Sequence, residues 1–326
     1  HPVPQVVVDA IGAAVLDAAS SLNRYPDREF TELRQRLARY LGHGLTEDNI
    51  WAANGSNEVL QQILQAFGGP ERKILSFPPT YSMYPLLASG TNTEYIAGIR
   101  ADDFTLSPES AAQQVKDSQP DIVFLCSPNN PTGTALGLDV VEAVYEASQA
   151  FNAIVVVDEA YEEFSLDTTK SALTLLDGRE RLIISRTMSK AFALAGARVG
   201  YLATSPQVTD ALRLVRLPYH LSAITQAAAN AALQHVDVLL ATVGEIKAQR
   251  NRIVEELRQM GLKPAVSDSN FVFFGWLEDA HAVWQGLLDR GVLIRDVGIP
   301  HHLRVTAGTE EETTAFLVAL REVIGA

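Results

Sequence analysis

Three short apolar segments constrain the fold of this chain more than any other feature of its sequence. They cover residues 122–126, 154–157 and 182–184, and each is followed closely by polar residues. A continuous apolar run of this length is typical of a strand buried on both faces of a parallel sheet. Ligands bind at the carboxyl ends of the strands in open α/β sheets. The residues that follow these strands are therefore the first candidates for a functional site.

The rest of the first two thirds of the chain alternates between helix-like and strand-like segments. The apolar periodicity predicts helices over residues 7–18, 30–41, 55–67 and 140–150, and further strands over 50–54, 74–77 and 200–203. Such alternation indicates an α/β fold, with a mostly parallel sheet and helices on both of its faces.

The pattern changes after Pro218. Residues 223–260 are rich in alanine and nearly free of glycine and proline, which predicts one or two long helices. Strands are then expected over 270–276, 293–294 and 303–307, and a last helix over 311–324. This order indicates a second, smaller α+β domain, with a boundary near residues 225–245.

Composition excludes several classes of function. The 326 residues carry a net charge of −13, and they contain no basic stripe, so a nucleic-acid partner is not expected. No run approaches the 18 apolar residues of a membrane span, and no signal peptide is visible. The single cysteine, Cys126, cannot form an internal disulfide, which agrees with a cytoplasmic protein.

Lys190 follows the third apolar segment, in a stretch that also holds Thr187, Ser189 and Arg198. Desolvation destabilises the ammonium form of a lysine in apolar surroundings, and the neutral amine is the nucleophile that forms imines. The hydroxyls and the arginine are suited to a phosphate. Taken alone, the stretch also fits an ordinary surface lysine after a strand.

A second phosphate-binding element is the sequence Gly55-Ser56-Asn57, which lies where a strand is expected to lead into a helix. Free backbone N–H groups and the positive end of a helix favour an anion there. The same three residues are equally a good helix N-cap. Together with Thr187, Ser189 and Arg198 they would form a phosphate cup.

The order and spacing of five polar residues resemble those of the fold type I pyridoxal-phosphate aminotransferases. They are Asn130, Asp158, Tyr161, Lys190 and Arg198. The stretches 23–27, 127–133 and 187–198 are most similar to the histidinol-phosphate aminotransferase branch. The resemblance covers nearly the whole chain, and it is more specific for cofactor and reaction class than for substrate.

The resemblance implies roles around a pyridoxal 5'-phosphate ring. Lys190 would bind the cofactor covalently and later move the substrate α-proton. Asp158 would keep the ring nitrogen protonated, as an electron sink requires, although a helix cap or a salt bridge is the alternative. Asn130 and Tyr161 would bind the ring 3-oxygen, and Asn130-Pro131 is a candidate cis bond. Tyr81 would cover the ring.

The family assigns the cofactor phosphate to the cup formed by Ser56, Asn57, Thr187, Ser189 and Arg198. Tyr25 matches a residue that reaches the phosphate of the neighbouring subunit, which implies a homodimer with shared active sites. From the residues alone, Tyr25 equally fits a tyrosine that fixes a turn.

On the substrate side, Arg304 matches the residue that binds the carboxylate of glutamate or 2-oxoglutarate. Arg295 would contact a substrate phosphate or, alternatively, pair with Asp296. Asn270 and Tyr84 are weaker substrate candidates, and Tyr219 is weaker still. The adjacent residues 301 and 302 are both histidines, but they lack a third ligand, so no metal site is expected.

The expected function is transamination of L-histidinol phosphate with 2-oxoglutarate, a step of histidine biosynthesis. A broader aromatic or aliphatic aminotransferase and a pyridoxal-dependent decarboxylase of phosphorylated amino acids remain alternatives. A non-catalytic binding protein on the same scaffold is disfavoured because every catalytic position is filled.

The family also suggests how the domains are assembled. Its N-terminal helix packs on the small domain, so we assign residues 25–235 to a large cofactor-binding domain and residues 1–24 and 236–326 to the small domain. The chain starts at His1 without an initiator methionine, whereas relatives carry an upstream segment. We therefore expect this chain to be part of a longer protein.

Overall fold

The computed structural model describes residues 1–167 and 171–325. Its strands are β1 (Ile50–Ala53), β2 (Lys73–Ser76), β3 (Glu94–Ala97), β4 (Ile122–Cys126), β5 (Ile154–Asp158), β6 (Leu182–Thr187), β7 (Gly200–Ala203), β8 (Lys263–Pro264), β9 (Phe271–Gly275), β10 (Arg295–Asp296) and β11 (Leu303–Thr306). Its α-helices are α1 (Gln5–Ala19), α2 (Thr31–Leu41), α3 (Ser56–Phe67), α4 (Met83–Gly90), α5 (Pro108–Ser118), α6 (Leu138–Ser148), α7 (Pro206–Val215), α8 (Ala223–Ala232), α9 (Val236–Gln259), α10 (Ala280–Leu288) and α11 (Glu310–Ile324).

The predicted α/β class is confirmed by a seven-stranded sheet with the order β1-β7-β6-β5-β4-β2-β3. Its strands are parallel except for β7, which runs antiparallel to both β1 and β6. All five residues of β4 and all five of β5 are buried, as expected of strands covered by helices on both faces. The register pairs Cys126 with Asp158 and Asp158 with Ser185. The carboxyl ends of the three central strands therefore meet at one edge.

A second, antiparallel sheet has the order β10-β11-β9-β8. Apolar side chains form two buried clusters: a large core around the seven-stranded sheet and a small core around the four-stranded sheet. The helix α9 contributes Leu239 and Val243 to the large core, and Ile253 and Leu257 to the small core. The exact domain division stays a prediction, but its boundary region coincides with this shared helix.

The N-terminal helix packs differently from the prediction. It lies against α8 rather than on the C-terminal α+β part, and Val7 is buried in the large core. The alanine-rich surface of α8, with Ala228 and Ala232 buried, permits this close approach. His1 reaches the C-terminal part, where its ring lies 3.3 Å from the Gly308 carbonyl oxygen.

Other elements were displaced or not predicted. The strand expected over 293–294 lies at Arg295–Asp296. The elements that the sequence did not predict are β3, β8, α4, α5, α7 and α10. Within the described part of the chain, no helix is long and apolar enough to cross a membrane.

Candidate active site

A cavity of about 270 Å³ lies at the carboxyl edge of the large sheet. It gathers eleven of the residues predicted for the site, from segments far apart in sequence. They are Ser56, Asn57, Tyr81, Asn130, Asp158, Tyr161, Thr187, Ser189, Lys190, Arg198 and Arg304. Cys126, Ala160 and Ala195 complete the lining.

The end of the cavity at α3 is built from backbone groups and small polar side chains. Gly200 of β7 pairs with Ala53 on one side and with Thr187 on the other. A Cβ at Gly200 would overlap the backbone nitrogen of Ser56, so only glycine lets β7 approach the first turn of α3 this closely. This approach brings the hydroxyls after β6 beside the N-terminus of α3, where an anion is favoured.

Arg198 and two side-chain contacts complete that end. Gly55 has a positive φ of 86°, and a Cβ there would overlap the guanidinium of Arg198. The hydroxyl of Tyr81 donates to Asn57 Oδ1 over 2.9 Å. The Thr187 hydroxyl oxygen accepts the backbone N–H of Ser189 at 3.1 Å. This end of the cavity is thus surrounded by the backbone N–H groups of α3, by hydroxyl groups and by one cation, Arg198.

Lys190 lines the cavity and is exposed to it. Its Nζ lies 5.8 Å from the centre of the Tyr161 ring and donates no hydrogen bond to any described residue. Burial of the surroundings lowers the pKa of the Lys190 ammonium, and Arg304, Arg198 and Arg295 lower it further. A larger fraction of Lys190 is consequently in the neutral amine form than for an ordinary lysine at the same pH.

Asp158 also lines the cavity, although only 3% of its surface is exposed. Its Oδ2 accepts the hydroxyl of Tyr84 over 3.0 Å. Its Oδ1 is buried and has no hydrogen-bond partner among the described residues. Burial raises the pKa of Asp158 to about 6, and the Tyr84 hydrogen bond opposes that rise. No cation in the described part of the chain pairs with this carboxylate.

The small sheet contributes Arg304 to the lining of the cavity. Arg304 of β11 donates to Asn130 Oδ1, and its guanidinium lies over the Phe271 ring at 4.6 Å. Its buried Nε has no partner in the described part of the chain. Arg295 stands directly opposite Arg304 on β10. Two like charges side by side are unfavourable without an anion between or near them.

Arg295 is exposed in an adjoining groove that also contains Thr80, Ser82 and Asn130. The predicted alternative, a pair between Arg295 and Asp296, is not formed. The carboxylate of Asp296 instead lies 3.1 Å from His281 and accepts the backbone N–H of Gly298.

Comparison with known proteins agrees with this arrangement. The family model described as aminotransferase class I and II matches residues 1–320. The chain belongs to the class I and II aminotransferases.

Named relatives are similar over nearly all of this aminotransferase. The histidinol-phosphate aminotransferase of Paenarthrobacter aurescens (strain TC1) is 74% identical over 324 residues, which cover 99% of this chain and 87% of the relative. That of Thermobifida fusca (strain YX) is 56% identical, covering 100% and 88%. The solved histidinol-phosphate aminotransferase of Sinorhizobium meliloti, in complex with pyridoxal-5'-phosphate, has a TM-score of 0.88 at 29% identity, covering 97% of this chain and 87% of that one.

Four residues predicted for the site of this aminotransferase lie outside the main cavity. Tyr84 has no accessible surface and contacts Asp158 from behind, so it cannot meet a substrate as predicted. Asn270 is half-buried, does not line the cavity, and accepts the backbone N–H of Ala307 through its carbonyl oxygen. Tyr25 is 80% exposed and stacks on Tyr219 at 4.5 Å. Arg295 occupies the adjoining groove.

Three lining residues were not predicted. Ala160 and Ala195 neighbour predicted residues but carry no polar group that would have marked them. Cys126 was noted only as the single cysteine. It ends β4 and pairs in register with Asp158, so its place at the strand end was a signal available in the sequence. Burial raises the pKa of its thiol to about 12, which keeps it neutral.

Proposed function

We propose that this aminotransferase binds pyridoxal 5'-phosphate and transfers the amino group between L-histidinol phosphate and the glutamate/2-oxoglutarate pair. The named relatives, at 74% and 56% identity, support the substrate. The observation that carries the reaction class is a single cavity that joins a free lysine amine, a carboxylate with one unpaired oxygen and a helix N-terminus.

The residues present fit this cofactor. Asp158 Oδ1 needs a donor, and a protonated ring nitrogen would supply one together with a positive charge. The first turn of α3, with Ser56 and Asn57, and the side chains of Ser189 and Arg198 fit a phosphate. Asn130, Tyr161 and Tyr81 line the same cavity, and we expect Asn130 and Tyr161 to bind the ring 3-oxygen.

When bound, pyridoxal phosphate withdraws electrons from the bond between the substrate α-carbon and its hydrogen. Lys190 then has two tasks: its Nζ binds the cofactor, and it accepts the proton from the substrate α-carbon once the substrate amine has replaced it. Both tasks require a neutral amine, which the lowered pKa of Lys190 favours.

The paired arginines support a substrate with an anionic group. Histidinol phosphate has no α-carboxylate, whereas glutamate has one, so one site must accept a phosphate in one half-reaction and a carboxylate in the other. A guanidinium fork suits both anions. We expect Arg304, whose buried Nε has no partner in the described part of the chain, to bind both anions, and the facing Arg295 to contact the phosphate.

A homodimer is part of the same proposal. Exposed apolar side chains cluster in sequence around 22–25 and 214–219, and they include Leu22, Leu214 and Leu217. The stacked Tyr25 and Tyr219 also belong to these segments. Apolar surface of this kind marks an interaction site. We expect Tyr25 to reach the cofactor phosphate of a second copy in the cytoplasm, and light scattering should give twice the monomer mass.

The deciding experiment compares kcat/KM for histidinol phosphate and for phenylalanine in the same protein. We expect histidinol phosphate to be preferred by far more than tenfold. If phenylalanine is instead preferred by about tenfold, or about 1.4 kcal/mol in transition-state binding, the protein is an aromatic aminotransferase. Release of carbon dioxide from a phosphorylated amino acid would identify a decarboxylase.

Two arginine variants test how the anion is bound. Arg304→Lys should weaken both half-reactions, because lysine offers a point charge without the fork. Arg295→Ala should raise the KM for histidinol phosphate more than that for glutamate. Equal effects of Arg295→Ala on both substrates would contradict a phosphate-specific contact.

A further inference from the structure

Tyr84 is the largest polar side chain buried directly behind the cavity. It belongs to α4, has no accessible surface, stacks on Phe124 at 4.7 Å, and meets Tyr81 edge-on at 5.5 Å. Neither its ring nor its hydroxyl lines the cavity. Its position rules out contact with substrate and leaves the hydroxyl to act on a protein group.

That group is Asp158. The Tyr84 hydroxyl donates to Oδ2 over 3.0 Å in a buried setting, while Oδ1 has no partner among the described residues. The two oxygens of one carboxylate are thus distinguished by the fold. A carboxylate held through one oxygen cannot turn freely, so the other oxygen keeps a defined direction.

We propose that Tyr84 is a positioning residue that anchors Oδ2 of Asp158, so that Oδ1 is presented to the ring nitrogen of the cofactor and the proton stays on that nitrogen. The inference rests on the proposed function only in taking pyridoxal phosphate as the group that binds.

The effect on the proton follows from the two largest influences on the pKa of Asp158, which oppose each other. Burial raises the pKa of the carboxyl, and the hydrogen bond from Tyr84 stabilises the ionised form and lowers it. Without the hydroxyl, only the backbone of Ala160 opposes the effect of burial, and Asp158 becomes more basic. A more basic Asp158 competes better with the ring nitrogen for the shared proton. The hydroxyl of Tyr84 therefore favours a charged ring beside an ionised carboxylate.

The test is Tyr84→Phe, which removes only the hydroxyl and keeps the packed ring. Tyr95→Phe is a matched control, because the Tyr95 hydroxyl lies 2.8 Å from Ser76 Oγ and does not contact Asp158. In protein stripped of cofactor, the Asp158 carboxyl is titrated by NMR with carbon-13-labelled aspartate. Its signal is assigned by its loss in Asp158→Asn.

We expect the Asp158 titration to move to higher pH in Tyr84→Phe and to stay in place in Tyr95→Phe. The dissociation constant of pyridoxal phosphate should rise about tenfold in Tyr84→Phe, the size expected for losing a hydrogen bond to a charged group. In an Asp158→Asn background, Tyr84→Phe should change that constant far less, because the anchored carboxylate is gone.

An unchanged Asp158 titration in well-folded Tyr84→Phe would overturn the proposal and leave Tyr84 a packing residue. Equal effects of Tyr84→Phe on cofactor affinity in both backgrounds would do the same. Failure of the proposed function would look different: the unaltered protein would not bind pyridoxal phosphate, while the carboxyl titration would still show whether Tyr84 acts on Asp158.

Discussion

Asp158 and Glu159 are neighbours in sequence and are almost equally buried, with 3% and 2% of their surfaces exposed. Successive residues at the end of a strand point to opposite faces of the sheet. Asp158 lines the cavity, and one of its oxygens has no hydrogen-bond partner among the described residues. Glu159 accepts the Ser171 hydroxyl, the backbone N–H of Ala172 and two nitrogens of Arg186.

The same contrast holds on β6. Arg186 pairs with Glu159 at 2.8 Å and with Glu163 at 3.4 Å, whereas the next residue, Thr187, lines the cavity. On one face the buried charges of Glu159 and Arg186 are satisfied by the protein itself. On the other face, which lines the cavity, the charged groups lack oppositely charged protein partners among the described residues, and we expect a ligand to supply them. A buried charge is costly unless it is paired, so the incomplete face is the one that indicates function.

The strongest test of this contrast uses two lysines. Lys190 donates to no described residue, whereas Lys247 Nζ donates to the Ser165 carbonyl oxygen over 2.6 Å. Lys190→Ala should keep the fold and reduce turnover by about 10⁴-fold, since a proton-transfer group is lost. Lys247→Ala should retain turnover. Borohydride reduction followed by peptide mapping checks the assignment, and cofactor fixed at Lys247 would contradict it.

The two carboxylates give the next largest effects. Asp158→Asn should lower kcat by about 10³-fold without loss of stability in the cofactor-free protein, because an unpaired buried charge is removed. Glu159→Gln should cost about 3–5 kcal/mol of unfolding free energy, since Arg186 is left underpaired. Denaturant unfolding and steady-state kinetics measure both variants. A stability loss in Asp158→Asn as large as that in Glu159→Gln would erase the distinction between the two faces.

The sequence predicted those parts of the fold and the site whose evidence lies within one short stretch of residues. Residues such as Asn130 and Lys190 follow strands directly, so one stretch of sequence gives both the strand and the functional group. Tyr84 could not be interpreted correctly, because its partner Asp158 is 74 residues away and the contact depends on how α4 packs. The strand β3 was missed because its four residues, Glu94–Ala97, are all exposed or half-buried at the sheet edge.

Two glycine variants test whether the close approach of β7 to α3 matters for the cavity. Gly200→Ala places a Cβ against the backbone of Ser56, whereas a Cβ at Gly196 meets nothing within 4 Å. Overpacking costs about 1–3 kcal/mol, so the dissociation constant for pyridoxal phosphate should rise roughly tenfold or more in Gly200→Ala. Gly196→Ala is the control. Equal affinities in the two variants would show that the spacing between β7 and α3 is not critical.

The smallest effect concerns Glu162, which lies on the face of Glu159 and Arg186. Its Oε1 is buried without a partner in the described residues, and burial, followed by the charge of Glu159, raises its pKa to about 8. The folded state therefore favours the protonated form, and the stability from this group is lost as the pH rises through about 8.

Glu162→Gln should remove that dependence on pH. The unfolding free energy of the unaltered protein should fall, relative to the variant, by at least about 1 kcal/mol between pH 6 and pH 9, since one pKa unit corresponds to about 1.4 kcal/mol. Thermal or denaturant unfolding at several pH values measures the difference. Parallel stability profiles would mean that Glu162 is ionised throughout.

The helix α9 links the large core to the small core. Its 24 residues span roughly 36 Å at 1.5 Å per residue, and its two halves are anchored in different clusters. Unwinding it would expose apolar surface of both clusters at once. The stability of the small sheet is therefore coupled to that of the large core through α9. The small sheet carries Arg304, which donates to Asn130 across the cavity. The position of Arg304 therefore depends on the stability of both cores.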